Sequence, residues 1–395
     1  MKKFIAYIFS IIFFLIFLII KPLKKVTITR IFNTRIGHFL IEPELLLLKK
    51  KYIDNKKFFD LNFYYLTPFA QSCNFQVEKM LRRKMIIIPS LIGYYINFIN
   101  KFYFKITNIN IIHNQKFYTE DKYLLLHKFP SEFKFSKKEI AYGEAALKEI
   151  GLLDKKFVCV VNRDNKYLEK NFKKNYDHHS YRNSSIKNYL AASEYLSSKN
   201  IFTVRMGKDS EVKIEDKYNY IFDYSNSKFR SDFLDLYIPS KCQFWISGET
   251  GIATAAKIFR KPIVSVNRAP FKSKNWAGIL KNETVTIWKK YYDNKENKII
   301  SYKEIMKRKL DKFQSSDEFK DNDITLIENS SDDILMATTQ LYEMLNNKLQ
   351  YTDTYQDLEK TFWNIYGLKD FENKYISTTV CYKYLQKNLN LLELN

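Results

Sequence analysis

Four short apolar runs constrain the fold most: FVCVV (157–161), IFTVR (201–205), FWIS (244–247) and PIVSV (262–266). They are too short for helices, and their apolar residues are continuous rather than alternating, as in strands covered on both faces. Helical patterns lie between them, at 186–198, 233–239 and from about 252 to 259, and 220–223 reads as one more strand. Short buried strands alternating with helices imply a parallel, doubly wound α/β sheet.

A weaker version of the pattern precedes it. Residues 26–31, 60–66 and 85–88 read as strands, the last ended by Pro89, with a turn at 35–38 opening a helix over 39–51. Residues 103–135 read as a loop-rich connection, and 136–150 as a helix stopped by Gly151. A helix over 331–346 carries Asp332 and Asp333 in its first turn, where the helix dipole favours them. The 395 residues suffice for two cores. The expected organisation is a membrane anchor at 1–25, Rossmann-like domains at 26–140 and 141–347, and a helical tail at 348–395.

Residues 4–20 form an uncharged apolar run with Lys2 and Lys3 before it and Lys21, Lys24 and Lys25 after it. It is short for a span but adequate if the flanking lysines snorkel. A cleaved signal peptide would end in small residues, and this run ends Ile-Ile-Lys-Pro, which favours an uncleaved anchor. The net charge of +22 points to phosphate, in a membrane surface or a nucleic acid. With lysines spread along the whole chain and no arginine-rich block or RNP-like aromatic pattern, an anionic membrane is the expected partner and nucleic acid is not. None of the four cysteines forms a C-x-x-C pair, which suits reduced, buried residues of catalytic domains on the cytoplasmic side of an inner membrane.

Six places carry candidate chemistry. SGETG (247–251) joins the FWIS strand to the helix after it. Gly248 and Gly251 let the backbone approach a ligand, Ser247 and Thr250 add hydroxyls, and helix-start N–H groups suit a diphosphate. The same turn also fits a plain strand–helix joint that needs glycine. Arg163 and Asp164 follow FVCVV, where an arginine fork could meet phosphate or simply pair with its neighbour. Arg182, after the poorly spaced pair His178–His179, and Arg205 with Gly207 at another strand end complete the donor-side set. In the first half, His38 and Glu42 are four apart on one helix face, with Glu44 close by; histidine suits a general base for a sugar hydroxyl. Asp321-Asn322-Asp323 spells D-x-D in a charged stretch rather than after a buried strand, so no metal and no cofactor is expected.

The runs RDNKY, SYRNSSIKNYLAASEYL, TVRMG, DLYIPSKCQFWISGETG and KPIVSVN, with RIGHF-x-x-E-x-E near the start, resemble a family of bacterial glycosyltransferases from surface-polysaccharide gene clusters. The layout is distantly similar to GT-B fucosyltransferases, including the protein O-fucosyltransferase type. The resemblance covers about 30–343 and is strongest over 157–267. It implies a GT-B-like fold, two Rossmann-like domains facing across a cleft, and a nucleotide-sugar donor bound by Arg163, Asp164, Arg182, Arg205, Gly207, Ser247, Gly248 and Gly251. The expected activity is hexosyl or deoxyhexosyl transfer to a saccharide or lipid-linked acceptor, as in lipopolysaccharide biosynthesis. The alternatives are a sugar-nucleotide epimerase of similar build and an inactive membrane-anchored assembly protein.

Overall fold

The computed structural model describes residues 1–53, 60–115, 117, 121, 123–166, 169–170, 177–272, 283–367 and 378–394. Tyr167 of the RDNKY run and residues 368–377 of the expected tail lie outside these. The chain divides into two compact units, Met1–Ser136 and Lys137–Asn395.

Unit 1 holds a four-stranded parallel sheet. Its strands are β1 (Val26–Ile31), β2 (Leu61–Leu66), β3 (Ile86–Ile87) and β4 (Ile112–His113), in the order β3-β2-β1-β4. Its main helices are α1 (Lys2–Ile20), α2 (Ile36–Tyr52), α3 (Phe75–Arg82) and α4 (Ser90–Thr107). α2 starts three residues before the expected 39, because Arg35 offers no side-chain cap that would mark the start. α3 has such a mark: the Asn74 side chain accepts from the Val77 N–H at 3.0 Å.

α4 replaces the first part of the expected 103–135 connection. Its aromatic and β-branched residues are weak helix formers, so packing rather than propensity holds it. Ile96, Asn97 and Asn100 face the sheet. Asn97 Nδ2 donates to the Ile28 carbonyl at 3.3 Å, and Asn100 Oδ1 accepts from Ile112 N–H at 3.0 Å.

α1 belongs to the same core. Ala6, Ser10, Phe14 and Phe17 are buried along one face, and Phe14 and Phe17 pack with Val26, Ile28, Tyr65 and Ile96. By length and composition α1 could cross a membrane, and it falls in the same compact unit as the sheet it packs on.

Unit 2 is built on a seven-stranded, all-parallel sheet. Its strands are β5 (Phe157–Val161), β6 (Phe202–Arg205), β7 (Ile221–Phe222), β8 (Trp245–Ser247), β9 (Ile263–Arg268), β10 (Thr284–Trp288) and β14 (Thr379–Val380), ordered β14-β10-β9-β8-β5-β6-β7. A small antiparallel sheet, β12-β11-β13, joins Lys298–Ile299, Lys290–Asp293 and Ile324–Ile327. α5 (Leu125–Lys128) is a single turn in unit 1, and α6 (Lys137–Ile150) opens unit 2, stopped by Gly151 at φ +77°. The expected 186–198 helix begins as a tighter 3₁₀ turn, Ile186–Tyr189, before Leu190–Ser197 continues as α-helix. The Ser331–Leu345 helix starts on a reciprocal cap between Ser330 and Asp333.

The C-terminal residues join the core and sheet of unit 2. Thr379 and Val380 pair with Val285 and Thr286, and Phe362, Trp363, Tyr384 and Leu392 are fully buried beside Trp288 and Phe271. Their bulk needs cover that an isolated helix could not supply. All four cysteines are free and three are buried, as packing residues are.

Candidate functional site

The sheet of unit 2 reverses its winding beside β5. From β5 the chain adds β6 and β7 on one side, then returns to place β8, β9 and β10 on the other. Such a reversal parts the loops and leaves a crevice at the carboxyl ends of the two strands, where ligands of open α/β sheets bind. Val161 of β5 is in register with Ser247 of β8, and the Gly248 N–H donates to the Val161 carbonyl at 3.3 Å. Asn162, Arg163 and Asp164 leave β5 at this point, and Ser247, Gly248, Thr250 and Gly251 leave β8.

The loop carrying Arg182 is fastened to the same corner. Asn162 Nδ2 donates to the Ser184 carbonyl at 2.9 Å, and the Ser184 N–H donates to the Arg163 carbonyl at 3.0 Å. The Arg182 guanidinium lies 5.2 Å from the centre of the Tyr181 ring. Burial raises the Tyr181 phenol above its ordinary pKa, with Arg182, Glu249 and Arg163 all near enough to act on it. Beneath Gly248, the buried Tyr189 hydroxyl meets Ser184 Oγ at 3.2 Å and Asn267 Nδ2 at 3.4 Å. Asn267 and Asn329 clasp each other through backbone and side chain, at 2.6 and 2.7 Å. This polar floor is rigid because each member holds the next.

Gly248 is not demanded by the fold. A Cβ there would stand 3.6 Å from Tyr189 Oη and 3.9 Å from Ser184 Oγ, ordinary contacts. Gly207 is different: its φ of +138° is reached easily only by glycine, so it shapes its loop. Gly251 sits exposed in the turn, its carbonyl accepting from Thr254 N–H at 3.2 Å. Arg182 Nε and Thr250 Oγ1 are buried polar atoms without a hydrogen-bond partner among the described residues.

The geometry bears on three expectations. Arg205 is fully buried: its guanidinium donates to Asn162 Oδ1 at 3.2 Å and to the Val212 carbonyl, and lies 3.5 Å from Asp223. It braces the loops through these contacts, with its Nε buried and without a hydrogen-bond partner among the described residues. Asp164 likewise accepts from Glu211 N–H at 3.3 Å. The helix after SGETG spans only Thr254–Ile258, starting later than expected, so its dipole adds little to anion binding.

Three cations were missed by the sequence reading. Arg268, at the end of β9, pairs with Glu249 at 3.1 Å. Lys257 is brought down to about 8 by desolvation and by Arg268, against the pull of Glu249. Lys289, just past β10, donates to the Asn183 carbonyl at 2.5 Å; desolvation lowers it to about 8, opposed by Glu328. Lys289, Tyr181, Asn183 and Glu328 line a cavity of about 510 Å³. Arg268 and Lys289 each end or follow a buried strand, the signal that singled out Arg163.

In unit 1, His38 Nδ1 and Glu42 Oε1 are 2.6 Å apart at the start of α2, with the imidazole edge-on to Phe32. Glu42 is mostly covered and His38 is about half exposed, so the carboxylate can hold the ring in place. Glu44 is buried elsewhere, accepting from the Glu132 N–H at 3.1 Å. His178 and His179 have ring centres 4.0 Å apart on the 3₁₀ turn Asp177–Arg182. Asp323 pairs with Lys295 at 2.9 Å, and no cluster of three metal-ligating side chains occurs among the described residues.

No protein-family model matches the chain, and no curated protein sequence does. Among solved structures it is similar to an ADP-heptose lipopolysaccharide heptosyltransferase II from E. coli, at 9% identity over 66% of this chain and 90% of that one, TM-score 0.40. It is also similar to a family 9 glycosyl transferase from Veillonella parvula, at 9% identity over 81% and 98%, TM-score 0.44. S. aureus MnaA, solved with UDP, matches at 12% identity over 83% and 98%, TM-score 0.32. At such identities these likenesses say nothing of the chemistry.

Proposed function

We propose that the chain is a metal-independent glycosyltransferase that takes a sugar from a nucleoside-diphosphate donor, with the diphosphate at the crevice between β5 and β8. The observation that carries this reading is the winding reversal itself, with Arg163 and Gly248 at the two strand ends that meet there. Arg182 Nε and Thr250 Oγ1, buried and without a hydrogen-bond partner among the described residues, are open to a ligand at this corner. Arg163 and Arg182 neutralise the diphosphate as it leaves, which takes the place of a metal. Asn162, Asp164 and Arg205 position the loops. His38, oriented by Glu42, takes the proton from the acceptor hydroxyl. The acceptor is a saccharide or lipid-linked saccharide of a surface polysaccharide, met at the cytoplasmic face of the inner membrane.

The test is calorimetry of the full chain against GDP, UDP, ADP and dTDP. One of them is expected to bind, and Arg163→Ala to weaken it by one to two orders of magnitude, as loss of a charge-assisted hydrogen bond does. Gly248→Ala is expected to weaken binding while leaving the fold intact, because its Cβ fits. Turnover is expected to survive EDTA. Binding of none of the four, or wild-type affinity in both variants, sinks the reading. Release of an altered sugar with no acceptor present would favour the epimerase alternative.

A further inference from the structure

α1 and α4 lie side by side in unit 1. Tyr7 meets Tyr95 with ring centres 5.5 Å apart, Ser10 Oγ donates to the Ile92 carbonyl at 3.1 Å, and Phe14 meets Tyr103 at 5.5 Å. The contacts thus run from Tyr7 to Phe14 of α1. On α4, Tyr94, Phe98, Phe102 and Ile106 recur every four residues and all are exposed, Phe102 to 61%. α1 adds a broad exposed apolar surface, including Phe9 at 49% and Ile12 at 47%. Exposed apolar surface on this scale marks an interaction site.

The charges say what covers it. Neither 1–41 nor 79–119 contains an aspartate or glutamate. Lys2 and Lys3 open α1, Lys21, Lys24 and Lys25 follow it, and Lys101 and Lys105 stand on α4. Two copies meeting through this face would bring lysines against lysines. Aromatic and aliphatic residues rimmed by lysines instead fit an anionic lipid surface, with the rings among the acyl chains and the amines at the headgroups. A spanning helix must stand in lipid along its length. α1 is packed along α4, which carries two lysines and is seated on the sheet, so threading α1 through the bilayer as docked would bury charge and sheet edges in hydrocarbon.

We propose that α1 and α4 together form one in-plane docking surface for an anionic bilayer, with α1 lying in the interface rather than crossing it. This rests on the membrane attachment in the reading above, not on its chemistry.

The test adds the full chain to preformed vesicles of anionic phospholipid or of phosphatidylcholine alone. Strong binding to the anionic vesicles only is expected, reduced about tenfold or more in the double variant Lys101→Glu, Lys105→Glu. Depth is read by bromolipid quenching of Phe9→Trp and Phe98→Trp, over the signal of the four native tryptophans, all in unit 2. Both new tryptophans are expected to be quenched best by bromine near the headgroup end of the acyl chain. Quenching of Phe9→Trp best by bromine at the chain end, with Phe98→Trp unquenched, means a spanning anchor and overturns the proposal. So does equal binding to both vesicles, or no vesicle binding with a dimer in its place. Nucleoside-diphosphate binding is measured in parallel: its absence with vesicle binding intact removes the transferase reading and leaves the docking surface standing.

Discussion

Arg205 holds a positive charge where no water reaches it. Asp223 at 3.5 Å and Asn162 at 3.2 Å compensate that charge, and burial still pulls the guanidinium below its ordinary pKa. Removing one side of a buried charged network strands the other. Arg205→Met is therefore expected to cost about 3 kcal/mol of stability, measured by urea denaturation, with little change in nucleotide affinity of the folded fraction. A large affinity loss at unchanged stability would return Arg205 to the ligand. Lys289 makes a pH-dependent counterpart. Its folded pKa, about 8, lies below its ordinary 10.5, so protonation favours the unfolded chain. The penalty is fully present below pH 8 and lifts as pH climbs from there towards 10.5. The stability of Lys289→Met relative to wild type is thus expected to be highest near pH 7 and to fall by pH 9.5, read from urea midpoints at the two values. A constant difference would mean that Lys289 does not titrate in that window. The sequence made Arg163, Ser247 and Gly248 legible because each sits where an apolar strand stops. It could not separate Arg163 from Arg205, since both sit where a strand ends and only the packing of Asp223 and Val212 decides which one is sealed in.

α1 shows the same split at the level of the element. Its apolar run is legible, but its partner α4 is not, because aromatic and β-branched residues give no clear helical signal without the sheet beneath them. Read alone, α1 looks removable. Packed, it supplies Phe14 and Phe17 to the core of unit 1. Deleting residues 1–20 is therefore expected to destabilise unit 1, not simply to release a soluble protein. Phe14→Ala, which leaves the exposed face untouched, is expected to cost about 3–5 kcal/mol, seen as a lower denaturation midpoint in detergent solution. An unchanged midpoint would mean that α1 is not docked. The helix after SGETG makes the converse case. The sequence suggested a helix from about 252 to 259, but it begins only at Thr254 and ends at Ile258, where Phe259 and Arg260 turn the chain towards β9, with Arg260 at a positive φ of 56°.

Over the whole molecule, unit 2 carries everything its own core needs. The cluster around Phe271, Trp288 and Phe362 draws on β5, β8, β9 and β10, on the Ser331–Leu345 helix, and on the last forty or so residues, all within Lys137–Asn395. The sequence hid this closure because β14 is two residues long, and nothing in Thr379–Val380 distinguishes a sheet edge from a loop. The corner that would hold the diphosphate also lies wholly in this unit, from Asn162 to Asn329. If core and corner are both self-contained, residues 137–395 expressed alone should unfold in one cooperative urea transition. They should also bind the nucleoside diphosphate within a few-fold of the full chain by calorimetry. A chain ended before residue 378 should do neither, because removing β14 and the Tyr382–Lys387 helix bares Trp288 and the edge of β10. Loss of affinity in a well-folded 137–395 would show that unit 1 holds part of the donor, and would move residues such as His38 from the acceptor side of the reaction to the nucleotide.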